Sequence, residues 1–286
     1  MFQRILFPTD FSEHTRRAMD CISGLPEISE IILLHVLDTT NIFSSSTWGT
    51  QEEHARVLLK NDMAVFATMV PHVSSCLEVG HSGNISGCIS QVAEREKVDL
   101  LVMSAGSMGY IKGLHLGSVT FALIHDSPVN QLIMRHRVIE DLHGDRYEKF
   151  CPLILSKVLI PVDLSPHSLE AVRILSEIPG IGKIILIHVI PWDSNSKVVD
   201  ARLSQAFIII EQFCGELRKK GVETQGDVLI GDPVPTIIRY ADEEDVSVIC
   251  VVPVKKSRVM EMIHGSFTCD LAGKTTRPVL ILKDLI

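Results

Sequence analysis

Apolar residues fall into short unbroken runs separated by longer stretches of mixed character. In the first half the runs are Ile5–Phe7, Ile31–Leu37, Ser75–Val79, Leu100–Met103 and Val129–Met134. In the second they are Val158–Val162, Ile184–Ile190, Thr224–Leu229, Val246–Val252 and Val279–Leu282. Runs rich in Val, Ile and Leu that do not alternate with polar residues predict strands covered on both faces, as in a parallel sheet. The stretches between them have helical length. Leu59, Met63, Phe66 and Val70, for example, are spaced to share one helical face. This alternation of strand and helix predicts three-layer α/β architecture.

The pattern occurs twice. Residues 5–15 read ILFPTDFSEHT and residues 158–168 read VLIPVDLSPHS. Further along, His35 is echoed by His188, Gly80 by Gly231, Gly117-Ser118 by Gly265-Ser266 and Pro128 by Pro278. Anchors in one order at a nearly constant offset mean two copies of one domain rather than a short-period solenoid. We expect domains at 1–138 and 156–286, joined by a charged linker over roughly Ile139–Ser156 that contains Gly144 and Pro152. A second patternless stretch, Asp38–Thr50, is rich in Ser and Thr. It reads as a surface loop, or as a flap over a site at the carboxyl ends of the strands.

Composition narrows the classes. With 46% hydrophobic residues the chain is not disordered overall. A net charge of −8 and the lack of a long basic run disfavour a nucleic-acid partner. Apolar runs such as Phe207–Ile210 are too short to cross a bilayer. A strand-like segment begins within the first few residues, so no signal peptide is expected. The seven scattered cysteines form no CxxC, which fits reduced thiols in a cytoplasm.

In open α/β sheets ligands bind beyond the carboxyl ends of the strands. Two segments of the first half should meet there. One is Pro8-Thr9-Asp10, after the first strand. The other runs from Met103-Ser104-Ala105-Gly106-Ser107, after the fourth strand, to Gly117-Ser118-Val119-Thr120. Small residues let backbone N–H groups approach a phosphate. A helix opened by Gly117-Ser118 presents an anion-favouring N-terminus. Asp10 repels phosphate and suits a base or a ribose hydroxyl. The bland alternative is that LGSVT merely begins a helix.

These residues resemble the universal stress proteins in their tandem form, over almost the whole chain. The carriers in the first half are PTDFSE at 8–13, LLHV at 33–36, Val79-Gly80 with Ile85, DLLVM at 99–103, LGSVT at 116–120 and SPV at 127–129. In the second half they are PVDLS at 161–165, LIHV at 186–189, IGDP at 230–233, HGSF at 264–267 and RPVLIL at 277–282. The resemblance implies two doubly wound five-stranded parallel-sheet domains of the adenine nucleotide alpha hydrolase-like type, packed as an intramolecular pseudo-dimer through their last strands. It also implies an ATP or AMP site, with or without Mg2+. In the first half Pro8, Thr9, Asp10 and Val36 would hold base and ribose, while Met103, Ser104, Ser107, Gly117, Ser118, Val119 and Thr120 would surround the phosphates.

Nucleotide-binding members carry G-x2-G-x9-G-[ST]. Here Ser104 and Ser107 stand at the first two glycines, whereas Gly117-Ser118 keeps the third. If either position needs a left-handed backbone, serine costs roughly 1–2 kcal/mol, about what one charge-assisted phosphate contact returns. In the second half Val252 and Lys255 stand at those glycines, and Pro253 lacks an N–H. The second site therefore reads as degenerate.

Other signals fail on inspection. Gly273-Lys274-Thr275 lacks the earlier glycine of a phosphate loop and leads into a strand. Gly80-His81-Ser82-Gly83 is not followed by the glycine of a nucleophile elbow and reads as a turn before a helix. His35 and His188 lie inside strands and read as structural. No catalytic triad, paired acid/base carboxylates or metal motif is evident, so a non-enzymatic protein is expected. The leading reading is a cytoplasmic stress-response module binding adenine nucleotide in its N-terminal domain. The alternatives are a ligand-free scaffold for an unknown protein partner and, last, a slow ATPase. A homodimer of the tandem chain is compatible with either of the first two.

Overall fold

The computed structural model describes residues 2–22, 24–38, 45–80, 83–105, 116–135, 137–141, 144–148, 153–193, 195–252 and 267–283. The chain divides into two compact units, Met1–Met134 and Arg135–Ile286. Every predicted apolar run forms a strand. In the first unit these are β1 (Arg4–Pro8), β2 (Glu30–Asp38), β3 (His72–Gly80), β4 (Leu100–Ser104) and β5 (Asn130–Met134). All pair in parallel, in the order β5-β4-β1-β2-β3. Helices α1 (Glu13–Ile22), α2 (Ser45–Phe66), α3 (Ile85–Arg95) and α4 (Ser118–Asp126) alternate with them.

The second unit opens with a feature absent from the sequence reading. Overlapping the expected patternless linker, β6 (Arg137–Asp141) and β7 (Gly144–Glu148) pair as an antiparallel ribbon. The duplicated sheet follows: β8 (Lys157–Pro161), β9 (Lys183–Ile190), β10 (Thr224–Ile230), β11 (Val248–Val251) and β12 (Val279–Ile281), in the parallel order β10-β9-β8-β11-β12. Its helices are α5 (Pro166–Ser176), α6 (Ser196–Lys219) and α7 (Pro233–Glu243), with a further helical stretch at 267–274.

Central strands are apolar because both their faces are covered. Ile5–Phe7, Ile31–Leu34 and Leu100–Met103 are all buried, as are Val158–Ile160, Ile184–Ile187 and Val248–Val251. The edge strands β3 and β10 are only half-covered. That is why β3 tolerates His72, Ser74 and Ser75 and extends beyond the run Ser75–Val79 that announces it. Leu59, Phe66 and Val70 are buried as their spacing predicts, with Met63 half-covered. The Ser/Thr-rich stretch expected to be irregular through Thr50 is helical from Ser45. Hydroxyl residues are favoured where helices begin, so their density marks a helix start as readily as a loop. The flap expected there falls on 39–44, outside the described residues.

Duplication extends to the helix ends. Lys97 (φ 51°) and Asp245 (φ 47°) turn left-handed after α3 and α7. The amide of Val98 then reaches the carbonyl of Ala93, and that of Val246 reaches Ala241. This is the Schellman closure, in which a buried apolar residue follows the left-handed one.

Phe66 meets Phe7 edge-on, with ring centroids 5.6 Å apart and both side chains fully buried. Truncation of a buried aromatic leaves a cavity. Phe66→Ala should cost about 3–5 kcal/mol. Urea unfolding followed by fluorescence checks this in the first unit, because Trp48 is half-buried in α2 while Trp192 is 78% exposed and responds little.

Candidate functional site

Strand connections run one way from β1 to β2 and β3, and the other way to β4 and β5. The two directions part between β1 and β4, which pair at Ile5 with Leu100 and Leu6 with Leu101. The chain leaving these two strands cannot fill the crevice it opens, and such a switch point is where open α/β sheets take ligands.

The exit from β1 is a tight hydrogen-bonded turn. The Thr9 amide donates to the Leu34 carbonyl at 2.8 Å, which keeps the chain in the sheet for one residue more. Asp10 then accepts at Oδ1 from the Ser12 amide (2.9 Å) and from the Thr15 hydroxyl (2.6 Å). The Phe11 amide donates to Thr9 Oγ1 at 3.0 Å. Between them Phe11 adopts φ 60°, an outlier for a bulky side chain. Ser12 Oγ accepts the Thr15 amide at 3.3 Å and so starts α1. From β2, His35 donates its Nδ1–H to the Thr9 carbonyl at 2.8 Å, and its ring stacks on Phe11 with centroids 4.4 Å apart.

Two ionisable groups are tuned here. Burial opposes ionisation of Asp10, but the bonds from Ser12 and Thr15 outweigh it, and its carboxyl lies below the usual 3.8. Burial pushes the His35 ring below its ordinary 6.5, against the bond to Thr9 and the nearby Asp10 charge. A carbonyl only accepts, so the neutral ring carries its proton on Nδ1 and leaves Nε2 as an acceptor.

Across the crevice, Ser104 ends β4, half-buried, and its carbonyl receives the Thr120 hydroxyl at 3.4 Å. Met103 is buried in the sheet, so only its backbone is available at this corner. Helix α4 starts at Ser118 with Gly117 as its cap, and no side chain caps its amides. The first intrahelical bond runs from the Phe121 amide to the Gly117 carbonyl. The amides of Ser118, Val119 and Thr120 precede it and have no helical acceptor. Ser118 is exposed, Val119 half-buried and Thr120 buried. Pro8 ends β1. Val36, half-buried on β2, lies where a Cβ on Gly80 would come within 3.0 Å of its Cγ1. Ser107, with Gly106, falls outside the described residues.

The structure thus brings the Pro8–Asp10 turn and the Ser104/Gly117–Thr120 corner to adjacent strand ends. Sequence reasoning missed Ser12, Thr15, Phe11 and His35 as the frame of that turn. A usable signal existed in the repeated Asp-x-Ser at Asp10 and Asp163, the mark of an Asx turn. In the second unit the Ser165 amide donates to Asp163 Oδ1 at 2.9 Å, Leu164 adopts φ 61°, and His188 Nδ1–H reaches the Val162 carbonyl at 2.8 Å. There the switch point between β8 and β11 holds a cavity of about 290 Å³.

Among the described residues nothing at the corner in the first unit is built to hold Mg2+: Asp10 spends Oδ1 on two donors, and no group of three or more His, Cys, Asp or Glu that could hold a metal occurs. No helix among them is long and apolar enough to cross a membrane.

Comparison with known proteins agrees with this architecture. The model of the universal stress protein family matches residues 1–135 and again 155–283. The chain belongs to the universal stress protein family, as a tandem of two such domains. It is similar to Universal stress protein MJ0577 of Methanocaldococcus jannaschii, 26% identical over 160 residues, covering 48% of this chain and 97% of that protein. A universal stress protein structure from Archaeoglobus fulgidus superposes with TM-score 0.74 at 21% identity, covering 99% of this chain and 97% of the other. One from Pseudomonas aeruginosa does so with TM-score 0.66 at 17% identity, covering 98% and 93%. At such identities the structures establish the fold alone.

The Asx turn has a measurable pH signature. The folded carboxyl of Asp10 is depressed, so its contribution is complete above the unfolded value of 3.8 and is lost as pH falls through the lower folded value. Asp10→Ala should destabilise the first unit by about 1 kcal/mol near neutrality, since an exposed carboxylate is partly screened. Urea midpoints for wild type and variant should converge as the pH drops below that value.

Proposed function

We propose that the N-terminal domain binds adenine nucleotide and acts as a regulatory binding module rather than an enzyme. The observation that carries this reading is the juxtaposition at the β1/β4 switch point. A fixed carboxylate lies on one side, and helix amides without a side-chain cap lie on the other. Asp10 turns Oδ1 inward to its own turn, and Oδ2 is the atom suited to a ribose hydroxyl or base N–H. Gly117, Ser118, Val119 and Thr120 offer amides and a helix N-terminus to phosphate. Pro8, Thr9 and Val36 would flank the base, while Met103 and Ser104 (with Ser107) would border the phosphates.

Among the described residues at this corner, none is arranged for turnover. The Asp10 carboxylate is engaged as an acceptor and held ionised, so it is a poor general acid. Membership of a stress-protein family supports a role in which occupancy alters how the chain meets a partner. A ligand-free scaffold is the competing reading, favoured by the two serines at motif glycines.

Calorimetry with ATP and AMP decides between them. Binding should give measurable heat at sub-millimolar nucleotide and stabilise the protein by about 2.7 kcal/mol at a hundredfold excess over Kd. Gly117→Val should abolish that heat, and Asp10→Ala should weaken binding about tenfold. The double change Ser104→Gly with Ser107→Gly should tighten it. Absence of heat in the wild type, with binding created only by the double glycine variant, would establish the scaffold reading instead.

A further inference from the structure

The duplicated switch point in the second unit is hollow, and its described lining is mostly apolar. The cavity of about 290 Å³ lies at the carboxyl ends of β8, β9 and β11. Nine of its thirteen lining residues are apolar, among them Val162, Val189, Ile237, Val251, Val252 and Phe267. The polar lining is Asp163, Ser168, His188 and Thr268, and much of it is committed to the protein. Ser168 donates its hydroxyl to the Ser165 carbonyl at 3.1 Å, Asp163 Oδ1 accepts the Ser165 amide, and His188 Nδ1–H is bound to the Val162 carbonyl. The remaining ring nitrogen of His188, Nε2, is an acceptor when the ring is neutral.

Two features turn this cavity against phosphate. Asp163 contributes a negative charge to its wall. Its described lining includes no lysine or arginine to hold a phosphate, and Val251 and Val252 present branched apolar side chains at the end of β11. The volume is at the lower end for small-molecule pockets, enough for a bicyclic body. We propose that this cavity is a second ligand site, selective for an uncharged, largely apolar small molecule that presents one hydrogen-bond donor to His188.

The test uses the full chain and two probes with the same apolar body, 2-naphthol and 2-naphthyl phosphate. 2-Naphthol should bind once per chain, and the phosphate ester at least tenfold more weakly. Val189→Trp, at a half-buried position of β9, and Val252→Trp, on the opposite side of the cavity, should each weaken 2-naphthol binding more than tenfold while leaving AMP heat in the first unit unchanged. AMP should not displace 2-naphthol. Displacement by AMP, equal or tighter binding of the phosphate ester, or binding that survives both tryptophan variants would overturn the assignment, as would no binding of 2-naphthol at all. Loss of AMP binding with 2-naphthol binding intact would defeat only the nucleotide reading and leave this one standing.

Discussion

At the end of the first strand of each unit the chain must turn out of a parallel sheet within three residues, and one carboxylate makes that possible. Asp10 and Asp163 each accept the amide two residues ahead. Phe11 and Leu164 are thereby held at positive φ, and Ser12 and Ser165 are left in place to begin α1 and α5. From the neighbouring strand a histidine closes the turn from behind, at His35 and at His188. Without this exit the helix would start elsewhere and the crevice beside β4 or β11 would have no fixed wall. The depressed carboxyl of Asp10 is the electrostatic trace of the same bonds.

What distinguishes the two units lies on the opposite wall. In the first, the exit from β4 leads to a helix whose opening amides face no side-chain cap. In the second, the exit from β11 passes through Val252 toward a proline. One sheet geometry therefore frames two environments, one suited to an anion and one lined by apolar side chains. A negative carboxylate is common to both. It can serve a ribose hydroxyl only where phosphates are held by other groups, and the described lining of the second cavity includes no lysine or arginine to hold them.

Much of this was legible in the chain, for a physical reason. Buried parallel strands must be apolar on both faces, so their runs stand out, and a second copy confirmed each of them. The edge strand β3 showed only its better-covered end, because half-covered strands admit His72 and Ser74. The start of α2 was masked by serines and threonines that serve loops and helix N-termini alike. The β6–β7 ribbon lay in a charged segment with no alternation to betray it. At the site, Asp10 and Gly117 could be placed from spacing. Thr15 and His35 could not, because their role depends on which atoms a turn brings within reach, and hydrophobic pattern carries no such information.

The strained turn also bears on what counts as a functional mark. A bulky residue at positive φ costs roughly 1–2 kcal/mol, and such strain often clusters at binding sites. On that basis alone Phe11 would argue for a ligand. Leu164 carries the same angle beside a cavity whose described lining is mostly apolar, so strain at this turn is not peculiar to a nucleotide site. It is offset locally, by the Asx bond in both units and, in the first, by the Phe11–His35 stack. The turn is an architectural requirement of leaving the sheet, and ligand chemistry is set by the other wall of the crevice.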